Sequence, residues 1–148
     1  MLATVAESVL RGLRELHAKH QIHRDIKPSN IMLTNDNDVR IIDFGIAILR
    51  DSGISKIEGI AGSPSYMSPE QVTGDSLSHS SDIYSMGATL FELFTGRLPF
   101  DSGELTFHQV FTEAPSPKDL RSDIPEPLVD LILQSMKKNP EERPQSAR

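Results

Sequence analysis

Apolar residues near the N-terminus recur at helical spacing. The stripe that they form consists of Val5, Val9, Leu13 and Leu16, widened by Leu2, Ala6 and Leu10. Spacings of three and four residues are typical of one face of a helix, and a stripe this wide indicates a helix that is buried over much of its girth. The pattern therefore predicts a buried helix over about the first twenty residues. Thr4 and Glu7 have the spacing of a capping box, with chance as the alternative.

Two short apolar runs follow. Residues 31–33 read I-M-L and residues 39–42 read V-R-I-I, with the turn formers T-N-D-N-D between them. Short apolar runs that flank such a cluster predict a β-hairpin. Residues 46–66 show no clear periodicity, so we expect a long loop there, and such loops in compact domains are usually functional or mobile.

The second half of the chain predicts more helices. They cover residues 82–95, 104–112 and 127–137, with a further one opening at Arg143-Pro144. Gly96 is placed to end the first of these helices in a left-handed cap. Residues 113–127 contain four prolines and are expected to form an extended connection. No internal repeat or domain boundary is visible, which indicates one domain.

The composition is that of an ordinary soluble domain, with 37% hydrophobic and 24% charged residues. The formal net charge of −6 argues against a nucleic-acid binder, which needs clustered Lys and Arg to neutralise phosphates. The chain has no cysteine, which excludes disulfides and thiolate metal sites. No apolar run approaches the roughly 18 residues of a membrane span, and the N-terminus lacks the pattern of a secretory signal. We therefore expect a soluble, cytoplasmic chain, although an anchor outside this segment would not be visible in it.

One short loop gathers three kinds of polar side chain. Residues 23–30 read H-R-D-I-K-P-S-N, which brings the carboxylate of Asp25, the ammonium of Lys27 and the carboxamide of Asn30 close together in sequence. Taken singly, such an aspartate is usually a cap or a surface charge, and such an asparagine a turn residue. Residues 43–45 then read D-F-G. The two motifs in this order resemble the catalytic loop and the metal-binding signature of protein kinases, with isoleucine in place of the usual leucine in the first motif.

The resemblance to the large lobe of a serine/threonine protein kinase extends over nearly the whole chain. It implies a mainly α, kinase-like α+β fold, in which a helical large lobe carries a small β-hairpin at the catalytic loop, and it makes residues 1–148 a partial kinase domain. The K-P pair after the catalytic aspartate is the serine/threonine pattern, and residues 81–100 look most similar to eukaryotic-like kinases of bacteria. Small-molecule phosphotransferases share a related loop but lack the P-E and R-P signatures found here at residues 69–70 and 143–144. The implied activity is transfer of the γ-phosphate of ATP to serine and threonine hydroxyls of a protein substrate.

The resemblance also assigns roles to the polar side chains of the two motifs. Asn30 and Asp43 offer the oxygen ligands that Mg²⁺ or Mn²⁺ prefers beside the phosphates of ATP. Asp25 is then the natural acceptor for the proton of the substrate hydroxyl, and Lys27 can place a cation on the transferring phosphate. The residue that Met32 matches lies under the adenine ring in the family, although Met32 could equally be ordinary core.

Further residues match supporting positions of the family. Residues 62–70 read G-S-P-S-Y-M-S-P-E, which is similar to G-T-P-x-Y-M-x-P-E. The residue that Ser63 matches supports the catalytic aspartate and lysine, and serine keeps the hydroxyl of the usual threonine. Glu70 resembles the acid that pairs with a late arginine, here Arg143, so a buried pair is expected rather than two unrelated surface charges. Asp82 matches the acid that accepts hydrogen bonds from the catalytic-loop backbone, while an ordinary helix N-cap is the alternative.

One expectation concerns regulation. The arginine that Arg24 matches in the family can hold a phosphate on the loop that follows residue 43. Ser52 and Ser55 lie where such a phosphate would be added, with unmodified surface serines as the alternative.

A second metal hypothesis comes from His17, His20 and His23, which are spaced three residues apart. This spacing would suit zinc. The hypothesis is weak, because His23 already has a place in the catalytic loop and no other ligand type converges with the three histidines.

The sequence contains no G-x-G-x-x-G motif. In the family that motif belongs to a small lobe, which also carries a lysine that pairs with the phosphates. This missing small lobe is thus an implied partner, and without it water exclusion and triphosphate clamping should be poor. We therefore expect the isolated chain to bind Mg-ATP weakly and to transfer phosphate negligibly. Two alternatives stay open, a non-catalytic binding or regulatory module of kinase ancestry and a piece of a longer enzyme, and the coding sequence upstream of Met1 would discriminate between them.

Overall fold

The chain forms a mainly helical body with one small hairpin. The computed structural model describes residues 2–36, 38–42 and 63–147. The helices are α1 (Leu2–Ala18), α2 (Pro69–Thr73), α3 (His79–Thr95), α4 (Leu105–Phe111) and α5 (Glu126–Ser135), and the strands are β1 (Ile31–Leu33) and β2 (Val39–Ile41). The expected mainly α fold with a small hairpin is confirmed. Asp43, Ser52 and Ser55, whose roles were predicted, lie outside the described residues, as do residues 46–62 of the loop predicted over 46–66. The described end of that loop contains a 3₁₀ turn at Pro64–Tyr66.

Helix α1 is the predicted N-terminal helix, and its apolar stripe faces the core. Val9 and Leu13 are completely buried. Gly12 lets the helix come close to β2, because a Cβ atom at this position would lie 3.3 Å from the side chain of Ile41. Thr4 lies within the helix, whereas an N-cap residue must precede the first helical residue. The capping-box interpretation of Thr4 and Glu7 is therefore wrong, and the alternative of a chance spacing holds.

The predicted hairpin is present. β1 and β2 pair antiparallel, with Ile31 opposite Ile41 and Leu33 opposite Val39. β2 lies against α1, and Val39 is part of the core. On β1, by contrast, the side chains of Met32 and Leu33 are exposed. The hairpin therefore packs through one strand and leaves apolar side chains of the other strand open.

Helix α3 is the centre of the molecule. Of its 17 residues, 13 are buried, and it packs against both α5 and α1. The rings of Tyr84 and Phe91 are among the largest completely buried side chains. Gly96 ends the helix with a φ of 75°, which confirms the predicted left-handed cap.

Helix α3 begins three residues earlier than the sequence predicted. Ser78 is its N-cap, and the Ser78 hydroxyl accepts a hydrogen bond from the backbone nitrogen of Ser80. The hydroxyl of Ser81 accepts one from the backbone nitrogen of Ser78 in return, so serines satisfy the free N–H groups at this end. Asp82 lies inside the helix, and the N-cap alternative for it is wrong.

The remaining elements are short. Sequence analysis did not predict α2, which is capped by Ser68 and Gln71. The connection predicted over residues 113–127 ends where α5 begins at Glu126, and it contains a 3₁₀ turn at Pro117–Asp119 and further turns at residues 120 and 122–124. A second 3₁₀ turn, Pro140–Glu142, lies before Arg143, and residues 144–147 are not helical, so the helix predicted to open at Arg143 is wrong within the described range. None of the helices described is long and apolar enough to cross a membrane.

Candidate catalytic site

Two backbone features shape the loop between α1 and β1. Arg24 has a φ of 73°, a left-handed conformation that costs energy for a residue other than glycine and persists only where its surroundings impose it. Lys27 is extended, with φ −160° and ψ 163°, because the following proline excludes the helical region. Residues Pro28–Asn30 then form a 3₁₀ turn, in which the Asn30 nitrogen donates to the carbonyl of Lys27 at 3.0 Å.

Asp82 of α3 holds the strained part of this loop. Its buried carboxylate accepts hydrogen bonds from the backbone nitrogens of His23, at 2.8 Å, and Arg24, at 2.9 Å. These are the hydrogen bonds that the resemblance implied. The Nε2 atom of His17 on α1 donates to the same carboxylate at 2.9 Å, and Gln71 of α2 donates to the carbonyl of Arg24 at 2.9 Å. Three helices therefore fix the start of the loop.

His23 links the loop to the end of the hairpin. Its buried ring places Nε2 2.9 Å from the carbonyl oxygen of Ile42, while Nδ1 accepts a hydrogen bond from the backbone nitrogen of Asp25 at 3.1 Å. Because a carbonyl oxygen only accepts, these partners assign the proton to Nε2. The backbone nitrogen of Ile42 also donates to the carbonyl of Asn30 at 2.8 Å. The residue just before the D-F-G motif is thus tied to the catalytic loop from two sides.

Asp25, Lys27 and Ser63 form one polar cluster. The Nζ atom of Lys27 lies 3.3 Å from Oδ2 of Asp25 and donates to Oγ of Ser63 at 2.8 Å. The hydroxyl of Ser63 donates to Oδ1 of Asp25 at 3.4 Å. The Lys27 side chain is 26% exposed and that of Asp25 9% exposed, so the cluster is preorganised by the protein and reaches solvent mainly through Lys27.

Asn30 is buried, as is Asp25. Its Nδ2 atom donates to the carbonyl oxygen of Asp25 at 2.7 Å and to Oδ2 of Asp25 at 3.3 Å. Within the described residues no hydrogen bond reaches its Oδ1 atom, and an amide oxygen of this kind suits Mg²⁺. Asp43, the other predicted ligand, lies outside the described residues.

Glu70 and Arg143 form the expected buried pair. The two guanidinium ends donate to the two carboxylate oxygens at 2.7 and 2.9 Å. Arg143 uses its remaining donors on the carbonyls of Ser80, Lys137 and Lys138, so all five N–H groups have partners. Burial would raise the pKa of the Glu70 carboxyl, but the hydrogen bonds and charge of Arg143 outweigh burial and lower that pKa.

The structure also bears on the two alternatives for Met32 and on the zinc hypothesis for the three histidines. Met32 is 51% exposed, so the alternative that it is ordinary core is wrong, and a place under adenine stays a prediction. His17 stacks on His79 with the ring centroids 4.1 Å apart, and His23 has the partners given above. Across the described ranges no three His, Cys, Asp or Glu side chains converge to hold a metal ion, so nothing there supports the zinc hypothesis.

A second buried polar cluster was missed by the sequence analysis. It consists of Gln109 on α4, Tyr84 on α3 and Lys138 beyond α5. Gln109 is completely buried. Burial lowers the pKa of Lys138 to about 8, with the charge of Glu113 acting in the opposite direction, and burial raises the pKa of Tyr84. No motif connects the three residues, because each comes from a different part of the chain.

One cavity borders the loop that follows α1, but its described lining does not include the cluster of Asp25, Lys27 and Ser63. It has a volume of about 800 Å³ and lies between α1 and β2. Its lining includes Arg11, Gly12, Arg24 and Arg40, whereas Asp25 is not among the lining residues described. The cluster of Asp25, Lys27 and Ser63, rather than this cavity, holds the groups that can act on a hydroxyl and a phosphate.

Comparison with known proteins identifies the family of the chain. The family model of the protein kinase domain matches residues 1–148. The serine/threonine-protein kinase pkn3 of Myxococcus xanthus is 41% identical over 97% of the chain, and a probable serine/threonine-protein kinase of Clostridium acetobutylicum is 38% identical over 96%. The serine/threonine-protein kinase PknB of Mycobacterium tuberculosis is 39% identical over 95% of the chain. The chain spans 29%, 22% and 24% of the lengths of these three relatives. The chain therefore belongs to the protein kinase domain family.

Proposed function

We propose that this chain is the large-lobe part of a serine/threonine protein kinase, which transfers the γ-phosphate of ATP to serine or threonine hydroxyls of a protein. The observation that carries the proposal is the convergence of Asp25, Lys27, Asn30 and Ser63 in one network of contacts between 2.7 and 3.4 Å. The names of the relatives support the class of acceptor.

In this proposal each side chain has one task. Asp25 accepts the proton of the attacking hydroxyl, because its carboxylate is held by donors on both oxygens. Lys27 places its ammonium beside the transferring phosphate, where negative charge must be stabilised. Ser63 fixes the Lys27 ammonium and the Asp25 carboxylate relative to each other.

The residues fit a divalent metal and ATP. The Nδ2 atom of Asn30 donates to Asp25, and its Oδ1 atom has no hydrogen bond to any described residue. Such an oxygen is expected of a ligand for Mg²⁺ or Mn²⁺. We propose Asp43 as the second ligand and Met32 as the apolar contact for adenine. When bound, the metal neutralises phosphate charge during transfer.

We also propose a glycine-rich small lobe as a partner. The sequence has no G-x-G-x-x-G motif, and Met32 and Leu33 expose apolar surface beside the catalytic loop, which a second lobe would cover. The chain as it stands is expected to transfer little phosphate. The test therefore uses both this chain and a fusion that carries the small lobe of a related kinase ahead of it.

The experiment measures transfer of labelled phosphate from Mg-ATP to a generic protein substrate, followed by phosphoamino-acid analysis. We expect label on serine and threonine, and a loss of about 10²–10⁴-fold on Asp25→Asn, since this is the usual contribution of a positioned general base. Asp101→Asn, an exposed aspartate paired with Arg97, should keep full activity. Peptide mapping of the same reaction reports whether Ser52 or Ser55 takes up phosphate.

Two results would contradict the proposal. One is a folded fusion, verified by circular dichroism, that transfers no phosphate. The other is transfer that Asp25→Asn leaves unchanged, or that labels tyrosine instead of serine and threonine.

A further inference from the structure

Gln109 is placed unusually for a residue of α4. The helix has seven residues, and its aromatic side chains Phe107 and Phe111 are 54% and 70% exposed, whereas Gln109 is completely buried. Its Nε2 atom donates to the carbonyls of Pro64, at 3.1 Å, and Ser65, at 2.9 Å. One buried amide of a short surface helix thus forms hydrogen bonds with the segment that follows Ser63.

The partners of Gln109 fix the direction of every hydrogen bond in this cluster. Lys138, which can only donate, gives its three protons to the hydroxyl of Tyr84 at 3.1 Å and to the carbonyls of His108 at 3.1 Å and Gln109 at 3.0 Å. The Tyr84 hydroxyl donates in turn to Oε1 of Gln109 at 2.5 Å. Because Oε1 already accepts from Tyr84, the Nε2 protons are left for the two carbonyls, which only accept.

The turn that accepts the hydrogen bonds of Gln109 also contacts the cluster of Asp25, Lys27 and Ser63. Residues Pro64–Tyr66 form a 3₁₀ turn, closed by a hydrogen bond from the Tyr66 nitrogen to the carbonyl of Ser63 at 3.0 Å. Ser63 begins the turn and places its hydroxyl against Lys27 and Asp25. The Pro64 and Ser65 carbonyls therefore belong to the same hydrogen-bonded turn as the hydroxyl that contacts Lys27 and Asp25.

We propose that Gln109 is a positioning residue for phosphoryl transfer, which acts through the Pro64–Tyr66 turn to hold Ser63 against Asp25 and Lys27. The proposal rests on the proposed function for its kinetic part. Gln109 does not touch the reacting groups. Removal of the Gln109 amide changes the alignment of Asp25, Lys27 and Ser63 and not the number of catalytic groups. The substitution therefore lowers kcat and leaves the KM for ATP unchanged.

The test substitutes Gln109→Met, which keeps the length of the side chain and removes both hydrogen-bonding ends. In the fusion described above we expect kcat to fall by tenfold or more, because misplacement of catalytic groups by about 1 Å can cost 10²-fold. The KM for ATP should stay within twofold. Gln134→Met makes the same chemical change at an exposed position of α5 and should change neither constant.

A second readout needs no activity. In the chain itself, labelled with ¹³C and ¹⁵N, the carbonyl signals of Pro64 and Ser65 and the amide signal of Ser63 should move on Gln109→Met and stay in place on Gln134→Met. Tyr84→Phe removes the donor to Oε1 and should move the same signals less. It also serves as the test variant if Gln109→Met fails to fold.

Unchanged signals at Pro64, Ser65 and Ser63 in a folded variant would overturn the proposal, and so would an unchanged kcat in an active fusion. If the wild-type fusion is inactive, the proposed function fails, and the signals of Ser63 and the side-chain nitrogen of Lys27 decide separately whether Gln109 positions the cluster.

Discussion

At the scale of single residues, the Glu70–Arg143 pair shows how hydrogen bonds and charge attraction can offset the desolvation cost of a buried ion pair. Arg143 has no exposed side-chain surface in this pair, and all five of its N–H groups are satisfied by Glu70 and three backbone carbonyls. The pair joins α2 to the segment after α5, two parts of the chain 73 residues apart. Removal of one partner would leave the other charged and buried.

We predict that Arg143→Met lowers the free energy of unfolding by about 3–5 kcal/mol, the usual cost of breaking a buried pair. Urea denaturation followed by circular dichroism measures this change. The double variant Glu70→Met/Arg143→Met should lose less than the sum of the two single variants, because it leaves no unpaired charge. Additive losses would mean that the two side chains do not depend on each other.

The same pair predicts an acid dependence. The folded pKa of Glu70 lies below its unfolded value of 4.5, so near and below this pH the unfolded chain binds more protons. The contribution of Glu70 to stability is therefore fully present above pH 4.5 and is lost as the pH falls through the folded pKa. Between pH 5 and pH 3 the free energy of unfolding should fall more steeply for the wild type than for Glu70→Gln.

At the scale of elements, Gly87 decides how closely the central helix packs on α5. A Cβ atom at Gly87 would lie 2.9 Å from side-chain atoms of both Met136 and Ser135, and 3.3 Å from the backbone oxygen of Ile132. Glycine costs a helix interior about 1 kcal/mol relative to alanine, so its presence here reflects the space between α3 and α5.

We predict that Gly87→Ala destabilises the protein by about 1–3 kcal/mol, because overpacking of this contact outweighs the gain in helix propensity. Thermal unfolding measures the difference. Gly12→Ala makes the same change in α1, where Ile41 is the only described residue whose side chain comes close, at 3.3 Å, and its effect should be smaller. An equal or greater stability of Gly87→Ala would show that the helices can separate without cost.

The sequence predicts an element well when the signal lies in the residues of that element, and poorly when the element depends on contacts elsewhere in the chain. The stripe of α1 and the turn formers of the hairpin carry their own signals, and both predictions are confirmed. The start of α3 was predicted too late, because Ser78 and Ser81 cap each other while Asp82 is used elsewhere. Helix α2 was missed because its five residues are too few to show a period.

At the scale of the whole molecule, motif resemblance predicts a catalytic loop at residues 23–30, and the contacts that support this loop were predictable only in part. The pairings of Glu70 and Asp82 followed from the resemblance and are present. The hydrogen-bonded cluster of Gln109, Tyr84 and Lys138 was not predictable, since its members come from three separate segments and no local pattern records their burial. Non-local polar contacts of this kind appear only once the chain is folded.

Asp82 is the residue through which the N-terminal helix, the catalytic loop and α3 are joined. Its two oxygens serve the backbone nitrogens of His23 and Arg24 and the ring of His17, across 58 to 65 residues of sequence. An asparagine has only one acceptor oxygen for these three donors. A buried donor left without a partner costs roughly 1–3 kcal/mol, and Arg24 already occupies a strained conformation.

We therefore predict that Asp82→Asn lets the catalytic loop open without unfolding the rest of the molecule. Native-state hydrogen exchange should show faster exchange at the amides of His23 and Arg24, by about tenfold or more for a loss of 1.4 kcal/mol. Amides in the middle of α5 should keep the rate of global unfolding. Asp101→Asn, an exposed aspartate, is the matched control. If the amides of both regions accelerate together, Asp82 stabilises the whole fold and not the loop, and the loop has no separate opening equilibrium.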